Sequence, residues 1–381
     1  MFWAVDQDGN PVILSKRVSK RILDRIIHGK QFFCPVCRQE VILRKGTMRP
    51  YHFAHRKKTT CADQIGESMY HFYGKKRLHE LFNTSYLCQL EPRLSSINQI
   101  PDVLIQTNTH TIALEYQCAD LHAETWKLRT NGFKTVQLQP FWILGGNRMN
   151  RLSKHTIRMK QLEWLSLRKK HTSPYLLFYC PISRLFCIVS IISPFYTSTC
   201  LVSFTFIKEK EFSFHLLQQL RPQFSASHHK EWQKLKKNWR LKSIHYQSIE
   251  QSYVHQLFLQ ASTTLQFTPS FCGIPLPTNV SIQTAPILWQ SWLFIKFLSH
   301  PKPDVWVMRA QVIREFNKLV SNRIFRIRFE KEHSQRAIIG YLNYLKKKGV
   351  IIQREEQVFQ TLPSILWPKS LDQLLKMDNL F

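Results

Sequence analysis

Asp102 and Glu115 are the residues of this sequence best placed to do chemistry. Asp102 opens the run Asp102-Val103-Leu104-Ile105-Gln106, and Glu115 falls late in Thr111-Ile112-Ala113-Leu114-Glu115-Tyr116-Gln117. Both apolar runs have strand length, and the polar residues 107–110 between them form turns readily, so the pair reads as a β-hairpin. The antiparallel return brings the two carboxylates to one end. A strand gains nothing from an unpaired carboxylate among aliphatics, because burying a lone charge is costly. Two acids converging there make an oxygen site for a hard cation such as Mg²⁺. Gln117, two residues after Glu115, points to the same face.

A second cluster suits a softer ion. Cys34-Pro35-Val36-Cys37 places two thiolates on one edge of a tetrahedron, and His52-Phe53-Ala54-His55 can close the other. Cys61 is a fifth candidate for four positions. The chosen ligands are Cys34, Cys37, His52 and His55, with Cys61 as the substitute for one histidine; a zinc held by four side chains would be structural. Nine cysteines in 381 residues do not read as a secreted disulfide framework. No basic stretch followed by an apolar run opens the chain, so no signal peptide is read and a cytoplasmic location is expected.

These residues need elements to hold them. Glu67 to Phe82 is the best helix of the N-terminal half, with Tyr70, Gly74, Leu78, Leu81 and Phe82 available for an inner face. Glu67, His71 and Lys75 follow at steps of four and share another stripe, either a surface ion-pair pattern or a face turned to the acids. Tyr86 to Glu91 reads as a strand that Pro92 stops. Leu121 to Asn131 reads as a helix with Gly132 at its end, and Phe133 to Leu138 and Phe141 to Leu144 as short apolar runs, the second ended by Gly145-Gly146.

The resulting order of helix, three strands, helix and strand, with Pro-Asp and Glu-x-Gln on consecutive strands, resembles the PD-(D/E)XK nuclease superfamily. More narrowly, the sequence resembles the competence protein CoiA family. The motifs that carry this are Cys34-Pro-Val-Cys37, His52-Phe-Ala-His55, Glu67-Ser68-x-x-His71-x-x-x-Lys75, Pro101-Asp102, Glu115-Tyr116-Gln117-Cys118, Arg129 and Phe141-Trp-Ile-Leu-Gly145. The resemblance covers about residues 1–146 and continues more weakly through Cys272-Gly-Ile-Pro275 and Trp289-Gln290. The resemblance implies a restriction-endonuclease-like α/β core, a small β-rich zinc-binding N-terminal domain and a mostly α-helical C-terminal region.

It also implies catalytic roles for Glu67, Asp102, Glu115 and Gln117, with Mg²⁺ or Mn²⁺ on Asp102 and Glu115. His71, Lys75, Lys76, Arg77 and Arg129 would contact DNA. The implied activity is metal-dependent cleavage of single-stranded or branched DNA taken up during natural transformation, with recombination proteins as partners. Two departures matter: Ile100 stands where the family usually has arginine, and Gln117 where the superfamily commonly has lysine. The alternative is therefore a catalytically inactive, DNA-binding recombination accessory that keeps a nuclease fold.

The whole chain agrees with a polyanionic partner. Lys and Arg number 54 against 25 Asp and Glu, a formal charge of +29, and phosphate contacts release counterions. Hydrophobic residues at 44% and aromatics at 13% exclude disorder. Leu185 to Ile207 carries no charge; its Pro194 and its Ser and Thr residues favour buried strands over a membrane span, and no stable membrane insertion is expected. A membrane-surface DNA receptor resting on this stretch is a third reading. Residues 146–172 read as a basic helical connector. His228 to Lys242 interleaves Lys and Arg with Trp232 and Trp239. That pattern fits stacking on single-stranded nucleic acid, a membrane-surface helix, or an amphipathic helix whose indoles face the core. Beyond the prolines at 269–286, Ile287 to Leu298 reads as a buried helix. Val305 to Asn322 and Ser334 to Lys348 read as two more, followed by a small hairpin around Glu355-Glu356, an order like that of a winged helix. The expected domains are 1–62 (zinc-binding), 63–150 (nuclease-like), 151–267 (basic extension of strands, then helix) and 268–381 (helical, winged-helix-like).

Overall fold

The structure, a computed structural model, describes residues 3–13, 29–34, 39–44, 52–56, 69–168, 174–219, 224–242, 248–299, 306–355, 358–361 and 370–378. The chain divides into two compact units. The first comprises residues 1–148, 179–186 and 208–210, and the second comprises 149–178, 187–207 and 211–381.

In the first unit, strands β1 (Trp3–Asp6), β2 (Pro11–Ile13), β3 (Phe32–Phe33), β4 (Glu40–Arg44) and β5 (His52–His55) form an antiparallel sheet in the order β2-β1-β3-β4-β5. Asp6 makes its first turn: one carboxylate oxygen accepts the N–H groups of Asp8 and Asn10, and Gly9 supplies the positive φ of 79°.

The same unit continues with α1 (Met69–Phe82), β6 (Leu87–Leu90), β7 (Val103–Gln106), β8 (Thr111–Gln117), α2 (Ala123–Thr135) and β9 (Gln139–Gly145). Strands β6, β7 and β8 are antiparallel neighbours, and β9 lies parallel to β8, with α2 as the crossover. The predicted hairpin is present. Its turn is closed by Thr107, whose N–H and hydroxyl both donate to the His110 carbonyl at 3.0 and 2.6 Å. Ile112 to Tyr116 are all buried, as expected of a strand between two others.

Two expectations need correction here. Helix α2 runs through Gly132 to Thr135 instead of ending there. A Cβ on Gly132 would come 2.3 Å from Gln99 Nε2, so this glycine permits a close side-chain approach and does not terminate the helix. The described part of the expected connector, residues 146–168, is mainly not helical: it holds β10 (Asn150–Arg151), β11 (Thr156–Arg158), a 3-10 turn at Gly146–Arg148 and the short helix α3 (Gln161–Leu165). β11 is drawn into a sheet because Ile157 is fully buried while Arg158 remains outside.

The second unit holds most of β12 (Tyr175–Cys180), β13 (Leu185–Pro194) and β14 (Thr199–Lys208), in the order β10-β11-β14-β13-β12. The uncharged stretch 185–207 thus falls in two strands, β13 buried along nearly all its length and β14 over Thr199 to Val202 only. No helix among the described residues is long and apolar enough to cross a membrane. Helices α4 (Leu216–Gln219), α5 (Ala226–Lys242), α6 (Ile249–Gln260) and α7 (Pro286–Leu293) follow. Next come β15 (Val307–Met308), α8 (Arg309–Ser321), α9 (Lys331–Lys347), β16 (Ile351–Glu355), β17 (Val358–Thr361) and α10 (Leu371–Met377). Residues 307–308, expected to be helical, pair instead with β17. Trp232 and Trp239 are buried in the core of this unit with Trp289, Trp292, Phe316 and Tyr341, so their rings are not offered to bases.

Beneath α5 lies a buried ionic knot. Lys236 and Arg240 are fully buried, and both reach the Asp378 carboxylate, Lys236 Nζ at 2.9 Å and Arg240 through two nitrogens at 2.8 Å. Arg240 also donates to the carbonyls of Gln266 and Thr268. The architecture as a whole is mixed α/β, β-rich at the N-terminal end and mostly helical at the C-terminal end, as the sequence predicts.

Candidate functional site

The register β7–β8 pairs Val103 with Leu114, which sets Asp102 and Glu115 in the next facing positions. Asp102 lies just before β7, where its Oδ2 accepts the Tyr116 N–H at 2.7 Å. His71 Nε2, from α1, lies 3.4 Å from the same oxygen. Glu115 is 3% exposed, and its Oε1 accepts a hydrogen bond from Arg129 of α2 at 2.5 Å. Arg129 also donates to the Ile100 carbonyl at 2.9 Å. Burial first, and the neighbouring Asp102 charge second, push the Glu115 carboxyl up to about 8; Arg129 and His71 oppose this without cancelling it. The two acids therefore form one electrostatic unit in which adding positive charge would be strongly favoured.

The side chains around them are held in place. The ring of His71 stacks on that of Tyr116, centroids 5.6 Å apart. The ring of Tyr116 lies against the backbone of Gly74, where a Cβ would sit 2.0 Å from the ring. Its hydroxyl donates to the Tyr179 carbonyl at 3.0 Å. Lys75 is buried, and its ammonium donates to Glu91 at 2.6 Å. Glu91 takes the rarely occupied φ of +50°, and its N–H donates to the Asp102 carbonyl at 3.1 Å. Lys75 thereby steadies the backbone that carries Asp102. Glu91 was not legible as a site residue; the only sequence signal was an acid directly before Pro92.

Of the other predicted residues, Gln117 donates its amide to the Ala119 carbonyl at 3.0 Å. Lys76 is exposed, and Arg77 lies 3.4 Å from Glu80 and 3.8 Å from Glu209. Glu67 lies outside the described residues, as do Cys37 and Cys61. Cys34 is buried just after β3, and its N–H donates to the Gln39 carbonyl at 2.8 Å. His55 is paired with Val41, the neighbour of Phe32 on β3, whereas His52 stands at the far end of β5, opposite Arg44. Among the described residues no three His, Cys, Asp or Glu side chains are grouped to hold a metal ion. Asp102 and Glu115 form a pair of hard oxygen donors that fits a divalent cation in chemical type.

A helix, an antiparallel hairpin bearing two facing acids and a parallel strand beyond a crossover helix make residues 69–145 a nuclease-like α/β domain. The family model described as the nuclease-like domain of competence protein CoiA matches residues 67–222. The N-terminal and C-terminal domain models of the same family match residues 15–64 and 227–375. Competence protein CoiA of Bacillus subtilis (strain 168) is 29% identical over 337 residues, covering 87% of this chain and 89% of that protein. The chain belongs to the competence protein CoiA family.

Proposed function

We propose that Asp102 and Glu115 hold Mg²⁺ or Mn²⁺ and that this chain hydrolyses phosphodiester bonds of DNA taken up in natural transformation, in the cytoplasm and beside recombination proteins. The observation that carries this reading is the buried Glu115 facing Asp102, a pair whose mutual repulsion a cation relieves. Such a cation supplies a bound water of lowered pKa and neutralises charge on the scissile phosphate. Arg129 would move from Glu115 towards phosphate when the acid is needed, and Gln117 would orient water, since an amide cannot accept its proton at neutral pH. Glu67 would complete the shell around the acids. His71, seated on Asp102, and the exposed Lys76 with Arg77 would meet the DNA backbone, single-stranded or branched.

Asp102→Ala and Glu115→Ala are each expected to reduce Mg²⁺-dependent cleavage at least ~100-fold while DNA binding stays near the parent level. Cleavage by both variants at the parent rate would refute the assignment. A second reading, a DNA-binding recombination accessory without activity, draws support from Arg129 already bonded to Glu115 and from the Gln117 amide already engaged. The parent chain separates the two when it is incubated with single-stranded, duplex and branched DNA and either metal.

We also propose a structural zinc on Cys34, Cys37 and His55, with His52 or Cys61 as the fourth ligand. Purified protein is expected to carry about one zinc per chain by elemental analysis, the stoichiometry of a closed four-ligand site. Cys34→Ser should release it, and metal-free protein as isolated would end this proposal.

A further inference from the structure

The second unit carries a second surface that the acidic pair does not explain. Helix α7 precedes β15, α8, α9, β16 and β17 in the chain, and the three strands pair in the order β15-β17-β16. Helix, strand, two helices and a hairpin whose returning strand lies in the middle is the topology of a winged helix. The helices share one core. Trp292 of α7 lies 5.9 Å from Phe316 of α8, and Trp289 lies 5.5 Å from Tyr341 of α9, centroid to centroid. Ala337, Ile338, Leu342 and Leu345 complete the inner face of α9.

Its outer face is polar and basic. Arg336, Asn343 and Lys347 are exposed and follow one another at steps of seven and four, which puts them on one stripe; the half-buried Gln335 lies beside that stripe, about 100° round the helix. Lys346 donates to Gln353 of β16 at 3.0 Å, tying the helix to the hairpin, and Arg354 of that hairpin stacks over Trp306 at 4.5 Å. Residues 306–361 contain twelve Lys and Arg against five acids. We propose that this module binds duplex DNA, with α9 entering the major groove and the hairpin beside it. Arg and Asn, as at Arg336 and Asn343, are side chains that read base edges in that groove, and lysines meet the phosphates. The basic balance selects a polyanion over a protein partner. This inference is independent of the nuclease reading, because it needs neither metal nor Asp102.

The test is fluorescence anisotropy of the full chain with a short labelled duplex in EDTA. The double variant Arg336→Glu/Lys347→Glu is expected to bind at least ~10-fold more weakly and to lose about two units of salt slope. The control Lys210→Glu, in the first unit, should bind within ~2-fold of the parent. If the charge reversal impairs folding, the neutral pair Arg336→Gln/Lys347→Gln carries the same test, with a smaller loss in the same direction. Duplex binding by a folded variant within ~2-fold of the parent, with an unaltered salt slope, would overturn the proposal and leave this face to a protein partner. Metal-dependent cleavage of short single strands should persist in these variants, which separates failure here from failure of the acidic site.

Discussion

Glu115→Gln is expected to stabilise the metal-free chain at pH 9 by about 3–5 kcal/mol and to change it little at pH 4. The sign follows from the raised carboxyl. In the unfolded chain Glu115 titrates near 4.5, and in the folded chain near 8. Between those values the folded state keeps a proton that the unfolded state has lost, so its stability falls as pH rises through that window. Glutamine is neutral throughout and keeps an oxygen for Arg129, so it avoids that fall. Urea melts of both proteins in EDTA from pH 4 to pH 9 measure the difference. Parent stability that climbed relative to the variant across the window would contradict the burial argument. On the proposed metal reading, millimolar Mg²⁺ should restore the parent at high pH and leave the glutamine variant unmoved.

Asp378→Ala is expected to cost about 3–5 kcal/mol, because it leaves two buried cations without their shared anion. Lys236 already feels its surroundings: burial pulls its ammonium down to about 8 despite the Asp378 charge. Asp378→Asn should be milder, since the amide oxygen still accepts from Arg240. Denaturant melts of the full chain measure both, and a loss below ~1 kcal/mol for the alanine variant would mean that water reaches the pair.

The acidic hairpin was readable in the sequence because it depends on local rules. Strand-length apolar runs, a polar turn and an acid at each edge leave one register that buries Ile105, Ile112 and Leu114 together. The same rules placed α1 and predicted strands in the uncharged stretch 185–207. What failed to show was whatever depends on distant partners. Gly132 looks like a helix stop until Gln99, far away in sequence, lies across it. The basic run after residue 146 looks helical until β14 offers β11 an edge. Lys75 is a DNA contact by the family resemblance, yet Glu91 claims its ammonium inside the domain. Arg129 matches the family motif, but nothing local says that its guanidinium rests on Glu115. Trp232 and Trp239 are ambiguous by composition, and nothing local says that they join one core with residues 265–298, where the Gly273 carbonyl accepts the Trp232 N–H at 2.8 Å.

The knot that joins Arg240 to Asp378 spans 138 residues of chain. During synthesis α5 leaves the ribosome long before its anion exists. Until the last turn of α10 has been made, that helix must keep two charged stems hydrated and cannot settle its inner face. The second unit is thus expected to complete its packing late and all at once, so a nascent chain halted shortly before residue 378 should remain as protease-sensitive as one halted far earlier.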